Sequence, residues 1–100
     1  MEEKILKVIN HYGVNHQQRK FAEETFELQE VITAHELSAS SEYDMSLAEF
    51  IGLKEHIAEE IADCMFLLEQ FKCYYGITSE EITDIFWKKV DRTLERMEMR

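Results

Sequence analysis

Proline is absent from this chain of 100 residues, and glycine occurs only three times. These two residues break regular helix most strongly, and the chain is rich instead in Glu, Lys, Leu and Ile. Helix is therefore favoured along the whole sequence. No apolar run is long enough to cross a bilayer, so we expect no membrane-spanning segment. The acidic opening stretch MEEKILKVIN does not have the pattern of a signal peptide.

Cysteine is scarce as well, and its two copies, Cys64 and Cys73, lie nine positions apart in one expected helix. At about 1.5 Å per residue they stand roughly 13 Å apart along the helix axis, which is too far for a disulfide between them. Two unbridged thiols are typical of a reducing compartment, so we expect a cytoplasmic protein.

Basic residues are few: 11 Lys and Arg stand against 21 Asp and Glu, which gives a formal net charge of −10. This balance excludes nucleic-acid binding through a basic surface. Hydrophobic residues still make up 45% of the chain, which excludes a disordered acidic tail. The length predicts a single domain, residues 1–100, with a core small enough that a partner chain is expected to add to its stability.

Caps and breakers predict where the first two helices lie. The first helix is expected over about residues 2–11, and Gly13 ends it. The second begins at Asn15, a good N-cap, and reaches about Leu37. The stretch SASSEYD, residues 38–44, is the one clear loop.

The third helix opens at Ser46, which forms an S-x-x-E capping box with Glu49. Gly52 is expected to divide it into a short piece and a long one. The long piece runs over about residues 54–75 and ends at Gly76.

A second capping box, Thr78 with Glu81, opens the last helix, which runs to about Met97. Together these segments predict an all-α fold, a helical bundle of four to five helices. The third helix is apolar on more than one side, so we expect a homo-oligomer to cover it. One side carries Ile57, Ile61, Cys64 and Leu68, and the other carries Ala58, Ala62, Met65 and Phe66.

In the second helix, acidic residues lie where the apolar face should be. On a helical wheel Glu24 falls between Leu28 and Val31, inside the apolar arc. Glu27 lies about 60° from Glu24, at the rim of that arc.

The third helix repeats the pattern. Glu60 falls between Leu67 and Phe71 within an apolar arc, and Asp63 lies at its rim. Buried carboxylates that lie close together repel and cost several kcal/mol unless basic partners, protonation or a divalent cation satisfy them. We favour the cation, because the same acidic pair recurs inside two apolar arcs.

Oxygen ligands without His or Cys suit Mg²⁺, with Mn²⁺ as the alternative. The competing di-iron site needs Glu-x-x-His on two helices. No Glu of this chain has a His three residues later, and we interpret His35 and His56 as boundary residues.

The last helix carries the opposite charge, because Lys89, Arg92 and Arg96 fall in one line along its apolar edge. One interpretation is salt bridging to the acids of the second helix. The other is phosphate binding, Arg through its planar fork and Lys as a point charge. Carboxylates, a divalent cation and this basic line together suggest a metal-bound polyphosphate ligand.

Two short motifs carry a family resemblance. Residues 23–27 read EETFE and residues 59–63 read EEIAD. In this order they resemble the EExxE…ExxD signature of the MazG-like, all-α nucleoside triphosphate pyrophosphohydrolases. Residues 12–32 are similar to the first motif helix of that family, 59–70 to the second, and 88–97 to its basic closing helix.

The resemblance implies a helical bundle that assembles as a homodimer or homotetramer. It implies Mg²⁺-dependent hydrolysis of a (deoxy)nucleoside triphosphate between the α- and β-phosphates, which gives the monophosphate and pyrophosphate. The implied metal ligands are Glu24, Glu27, Glu60 and Asp63. Glu24 and Glu27 are the implied catalytic residues, and Glu27 or the neighbouring Glu23 orients or deprotonates the attacking water. The implied contacts of the substrate phosphates are Lys20, Lys89 and Arg92.

The chain departs from the family pattern in two places. The gap of 32 residues between Glu27 and Glu60 is longer than in compact relatives, and its extra segment, about residues 38–53, is interpreted as a lid, an interface helix or a nucleotide-selecting loop. The closing helix reads KVDRT where many relatives carry an Asn between Lys and Arg. A non-catalytic nucleotide-binding or protein-interaction module therefore remains the alternative.

Overall fold

The structure, a computed structural model, describes residues 2–40 and 46–99, with the side chains of all of these except 37–40. Every regular element in this part of the chain is a helix. In chain order they are α1 (Glu2–Tyr12), α2 (Val14–Ser40), α3 (Leu47–Tyr74) and α4 (Ser79–Glu98). The all-α fold expected from the sequence is confirmed.

Glycine turns and hydroxyl caps separate the helices largely where the sequence predicts them. Gly13, with φ of 89°, follows α1, and Gly76, with φ of 66°, follows α3. Both are left-handed backbone conformations, which glycine adopts without the clash that a Cβ brings. The Ser46 side chain caps α3 by accepting from the Glu49 amide, and Thr78 forms a complete capping box in front of α4.

Three boundary predictions are wrong. Asn15 is not the N-cap of α2, because the helix already begins at Val14 and the Gly13 carbonyl accepts a hydrogen bond from the Gln17 amide at 3.1 Å. The first residues of the predicted loop, 38–40, are helical, whereas residues 41–44 lie outside the described part. Gly52 does not divide α3, because the roughly 1 kcal/mol that glycine costs inside a helix does not outweigh the continuous backbone hydrogen bonding around it.

α2 and α3 run antiparallel and form the main packing contact of the chain. Residues early in α2 meet residues late in α3, since the ring centroids of Phe21 and Phe71 lie 5.7 Å apart. Residues late in α2 meet residues early in α3, where His35 contacts Phe50. α1 packs against both helices. The buried apolar residues of this three-helix core are Ile9, Val31, Cys64 and Leu67.

α4 does not pack closely against any of the other three helices, and a hydrogen bond from Lys72 Nζ to Ser79 Oγ at 2.7 Å joins its first residue to α3. Its apolar residues are accordingly exposed, and the large ones are Ile82, Ile85, Phe86, Trp87, Leu94 and Met97. The radius of gyration is 17.5 Å, compared with about 13 Å for a compact domain of this length. A single chain therefore leaves much apolar surface uncovered. None of the described helices is long and apolar enough to span a membrane.

Replacing two of the glycines by alanine should change the free energy of unfolding in opposite directions. Neither Gly13 nor Gly52 has a tertiary neighbour within 4 Å of the position that a Cβ would take, so backbone conformation alone decides the effect. Gly13→Ala is expected to lower the free energy of unfolding by about 1 kcal/mol, because its backbone is left-handed. Gly52→Ala is expected to raise it by about 0.5–1 kcal/mol. Urea unfolding followed by circular dichroism measures both, and effects of the same sign would contradict these assignments.

Candidate metal centre

The antiparallel packing of α2 and α3 gathers three carboxylates at their interface. One oxygen each from Glu24, Glu60 and Asp63 lies within 4.8 Å of the other two. Glu24 and Glu60 are only 7% and 8% exposed, whereas Asp63 is open to solvent. The two central acids of the sequence pattern are therefore buried together, with a more accessible third acid beside them. We call these three residues the acid cluster.

The two buried acids are only half satisfied. Glu24 Oε1 accepts from Lys20 Nζ at 3.1 Å, and Glu60 Oε1 lies 3.4 Å from His56 Nε2. While both carboxyls are ionised, Glu24 Oε2 and Glu60 Oε2 are buried and have no hydrogen-bond donor among the described residues, whereas a proton on Glu60 would form a hydrogen bond to Glu24. A buried acceptor without a donor costs about 1–3 kcal/mol or more when it is charged. The arrangement fits a cation that binds both free oxygens.

Electrostatics in the acid cluster disfavour a second negative charge. Burial raises the pKa of the Glu60 carboxyl above its ordinary value, and the neighbouring charges of Glu27 and Glu24 raise it further. Burial also raises the pKa of the Cys64 thiol, as do the neighbouring charges of Glu24, Glu60 and Asp63. The hydrogen bond to Glu24 raises the pKa of Lys20, which keeps this lysine charged. Without a cation, one proton or Lys20 must offset the charge of the acid cluster.

The donor set favours a hard divalent cation. Only carboxylate oxygens make up the acid cluster, and oxygen ligands suit Mg²⁺ and Mn²⁺. Cys64 is buried next to it but is held as the neutral thiol, which is a poor metal ligand. His56 is mostly exposed and touches only the outer oxygen of Glu60. His35 lies elsewhere, beside Glu36 and Phe50.

Glu27 and Lys20 lie at the edge of the acid cluster. Glu27 is exposed and is not one of the three gathered acids, but its charge acts on the pKa of Glu60. It therefore remains close enough to act on a ligand held there. Lys20 is half exposed and lies between Glu23 and Glu24, at 4.0 and 3.1 Å. Of the cations expected to contact phosphates, Lys20 is the one that reaches the acids within this chain.

Lys89 and Arg92 are exposed on α4 and are not brought to the acid cluster, because α4 packs against neither α2 nor α3. Salt bridging of this basic line to the acids of α2 was the other interpretation. Between the described residues of these two helices no such ion pair forms. Within a single chain the basic line of α4 faces solvent.

Sequence reasoning missed a second buried polar group, the side-chain amides of Gln17 and Gln70. They are 5% and 0% exposed, and Gln17 Nε2 donates to Gln70 Oε1 at 2.8 Å. The distance of each glutamine from the acids along the sequence could have indicated this group. Gln17 precedes Glu24 by seven residues and Gln70 follows Asp63 by seven, two helical turns in each case, so all four share the α2–α3 interface.

Comparisons of the chain with protein-family models, with curated proteins and with solved structures give no match.

The acid cluster should destabilise the metal-free protein at neutral pH. Because the folded state raises the pKa of Glu60, it favours the protonated acid. The contribution of this proton to stability is present below the ordinary carboxyl pKa and is lost as the pH rises through the raised value. Glu60→Gln is therefore expected to unfold at a higher temperature than the wild type at pH 7, with a difference that shrinks towards pH 4.

Glu59→Gln is the matched control, because Glu59 is exposed and its substitution removes the same charge without relieving burial. Thermal unfolding in the presence of a chelator, recorded across this pH range, measures the difference. Equal midpoints for the two variants at pH 7 would show that Glu60 carries no burial penalty.

Proposed function

We propose that this protein is a Mg²⁺-dependent nucleoside triphosphate pyrophosphohydrolase. It cleaves a (deoxy)nucleoside triphosphate between the α- and β-phosphates and releases the monophosphate and pyrophosphate. The observation that carries the proposal is the pair of buried, unpartnered oxygens, Glu24 Oε2 and Glu60 Oε2, in a cluster of three acids. The resemblance of the EETFE and EEIAD segments to the MazG-like signature supports the same activity.

The acid cluster fits a divalent cation by number, chemistry and charge of its donors. Glu24, Glu60 and Asp63 would hold it, and Glu27 joins them as the fourth ligand that the family resemblance implies. When bound, Mg²⁺ polarises a phosphoryl oxygen and lowers the pKa of a water molecule. Because Asp63 and Glu27 are exposed whereas Glu24 and Glu60 are buried, the open side of the cluster is the side that a polyphosphate approaches.

The residues around the acid cluster supply the remaining chemistry. Glu27 or Glu23 orients the attacking water and takes its proton, while water oxygen bonds to phosphorus and the bridging oxygen departs with the P–O electron pair. Lys20 reaches the cluster from the neighbouring turn of α2. Its ammonium group contacts the phosphates once a cation replaces it as the counter-charge of Glu24.

The uncovered apolar surface leads us to propose a homo-oligomer. The chain exposes 8363 Å², whereas a folded monomer of this mass exposes about 6,000 Å². The excess is of the size that an obligate interface buries. The phosphate contacts of Lys89 and Arg92 then depend on a partner subunit, because α4 packs against neither helix that carries the acids.

The alternative is a non-catalytic nucleotide-binding or protein-interaction module. One observation favours it: within a single chain Lys20 is the cation beside the acids, whereas Lys89 and Arg92 lie on the separate helix α4. Electrostatic stabilisation of phosphoryl transfer ordinarily draws on several cations. Tight binding of Mg²⁺ and a nucleotide without turnover would identify this alternative.

Glu24→Gln and Glu60→Gln are each expected to lower Mg²⁺-dependent pyrophosphate release from a panel of nucleoside triphosphates by roughly 100-fold or more, because each removes a charged metal ligand. Glu30→Gln is the matched control, since Glu30 is an exposed acid of α2 outside the acid cluster. Unchanged release by both cluster variants would remove the proposal.

Metal binding should also raise the free energy of unfolding. Mg²⁺ at about 100 times its dissociation constant is expected to stabilise the wild type by about 2.7 kcal/mol, or at least about 10 °C in Tm. The shift should be lost in Glu60→Gln and retained in Glu30→Gln. A wild-type Tm that does not respond to Mg²⁺ or Mn²⁺ would mean that the acids do not form a metal site.

Phe86→Glu is expected to convert the oligomer to a monomer, because Phe86 lies at the centre of the exposed apolar stripe of α4. Lys88→Glu is the control, since it makes a larger change in charge on the opposite face of the same helix. Analytical ultracentrifugation at micromolar concentration separates the outcomes. A wild type that sediments as a single species of 11.9 kDa would contradict the homo-oligomer.

A further inference from the structure

A cavity of about 580 Å³ opens beside the acid cluster, between α1, α2 and α3. One end is lined by Glu24 and Asp63, and the other by Tyr12, Gln17 and Gln70. The seven residues that separate Gln17 from Glu24 correspond to about 10 Å of helix. A nucleotide covers a similar span from its α-phosphate across the sugar to the far edge of its base. The size lies within the range of ligand pockets.

The far end of the cavity carries an unpartnered donor. Gln70 is fully buried, and its Nε2 has no hydrogen-bond partner in the described structure. Its Oε1 already accepts from Gln17 Nε2 at 2.8 Å, and Gln17 Oε1 lies 2.7 Å from His16 Nδ1. Gln17 therefore accepts a hydrogen bond from His16 and donates one to Gln70. The two N–H groups of Gln70 end this series of hydrogen bonds and have no acceptor in the part of the chain that the structure describes. A buried donor without an acceptor is costly, and an acceptor on a bound ligand would remove that cost.

An aromatic surface borders the same end of the cavity. The rings of Tyr12 and His16 are stacked, with centroids 5.2 Å apart and planes 19° apart, and both residues line the cavity. Tyr12 is 54% exposed, so part of its ring remains free for a ligand. Stacking on such a ring is favourable for any planar base, because every base has a π-face.

We propose that this cavity is a nucleobase subsite, in which Gln70 Nε2 donates to a carbonyl oxygen of a base that packs against Tyr12 and His16. The proposal rests on the hydrolase function above and adds a substrate class to it. Uracil, thymine, guanine and cytosine all carry a ring carbonyl, whereas adenine carries none. If a base carried an amino group where the carbonyl oxygen lies, its N–H groups would face the N–H groups of Gln70, and the buried donor would stay unpaired. Adenine offers only ring nitrogens as acceptors, and these are set back from the base edge compared with an exocyclic oxygen, so the subsite favours carbonyl-bearing bases over adenine.

Binding to non-hydrolysable ligands tests the subsite apart from catalysis. The probes are the α,β-imido triphosphates of deoxyuridine, deoxyguanosine and deoxyadenosine, together with inorganic tripolyphosphate, each measured by calorimetry with Mg²⁺. We expect the wild type to bind the deoxyuridine or the deoxyguanosine compound at least about 10-fold more tightly than the deoxyadenosine compound and tripolyphosphate.

The double variant Gln17→Met/Gln70→Met removes the amides and keeps their shape, which is nearly neutral for stability when both partners are replaced. It should lose the preference for the carbonyl-bearing base and keep its affinity for tripolyphosphate. Gln29→Met is the control, since Gln29 is an exposed residue of α2. Tyr12→Ala, at an exposed position outside the core, is expected to weaken every nucleotide about 10-fold and to leave tripolyphosphate unaffected.

Each outcome is decisive. If tripolyphosphate and all three nucleotides bind the wild type equally, the base is not read and the subsite is wrong, while the metal and phosphate site stands. A preference that persists in the double variant, or a preference for adenine, also overturns it. If neither the nucleotides nor tripolyphosphate bind, the hydrolase function fails and the subsite falls with it.

Discussion

The packing of α2 along α3 is the constraint on which the rest of this structure depends. Because the two helices run antiparallel, a group near the middle of one meets a group near the middle of the other. Glu24 thereby meets Glu60, and two turns away Gln17 meets Gln70. Apolar burial holds the helices together at Val31, Cys64 and Leu67. The same contact forces polar side chains into an interior that does not satisfy all of them.

Much of this could be predicted from the sequence. The helices, the glycine turns and the cap at Thr78 follow from local rules that need no tertiary information. The inward position of Glu24 and Glu60 follows from helical periodicity, because each falls in an apolar arc. Gly52 was misjudged because its local preference for ending a helix is outweighed by the helix on either side.

The remainder depends on how helices meet, which periodicity alone does not give. Nothing in the pattern of α4 says that it stands apart from α2, so its basic line was expected near the acids. The pairing of Gln17 with Gln70 across 53 positions is likewise a tertiary fact. From the sequence alone both glutamines resemble ordinary surface residues, because only the packing of α2 against α3 buries their amides. Register between helices, rather than helix content, therefore separates the predictable part of this site from the rest.

The two glycine turns have a consequence for how the chain folds. Gly13 and Gly76 follow α1 and α3 with positive φ, and the chain contains no proline. Refolding therefore contains no step that waits tens of seconds for an X–Pro bond to isomerise. The contacts between α1 and α2, which are joined at Gly13, are local in the sequence and form quickly. A slow phase in the recovery of this protein from denaturant would therefore have a cause other than proline isomerisation.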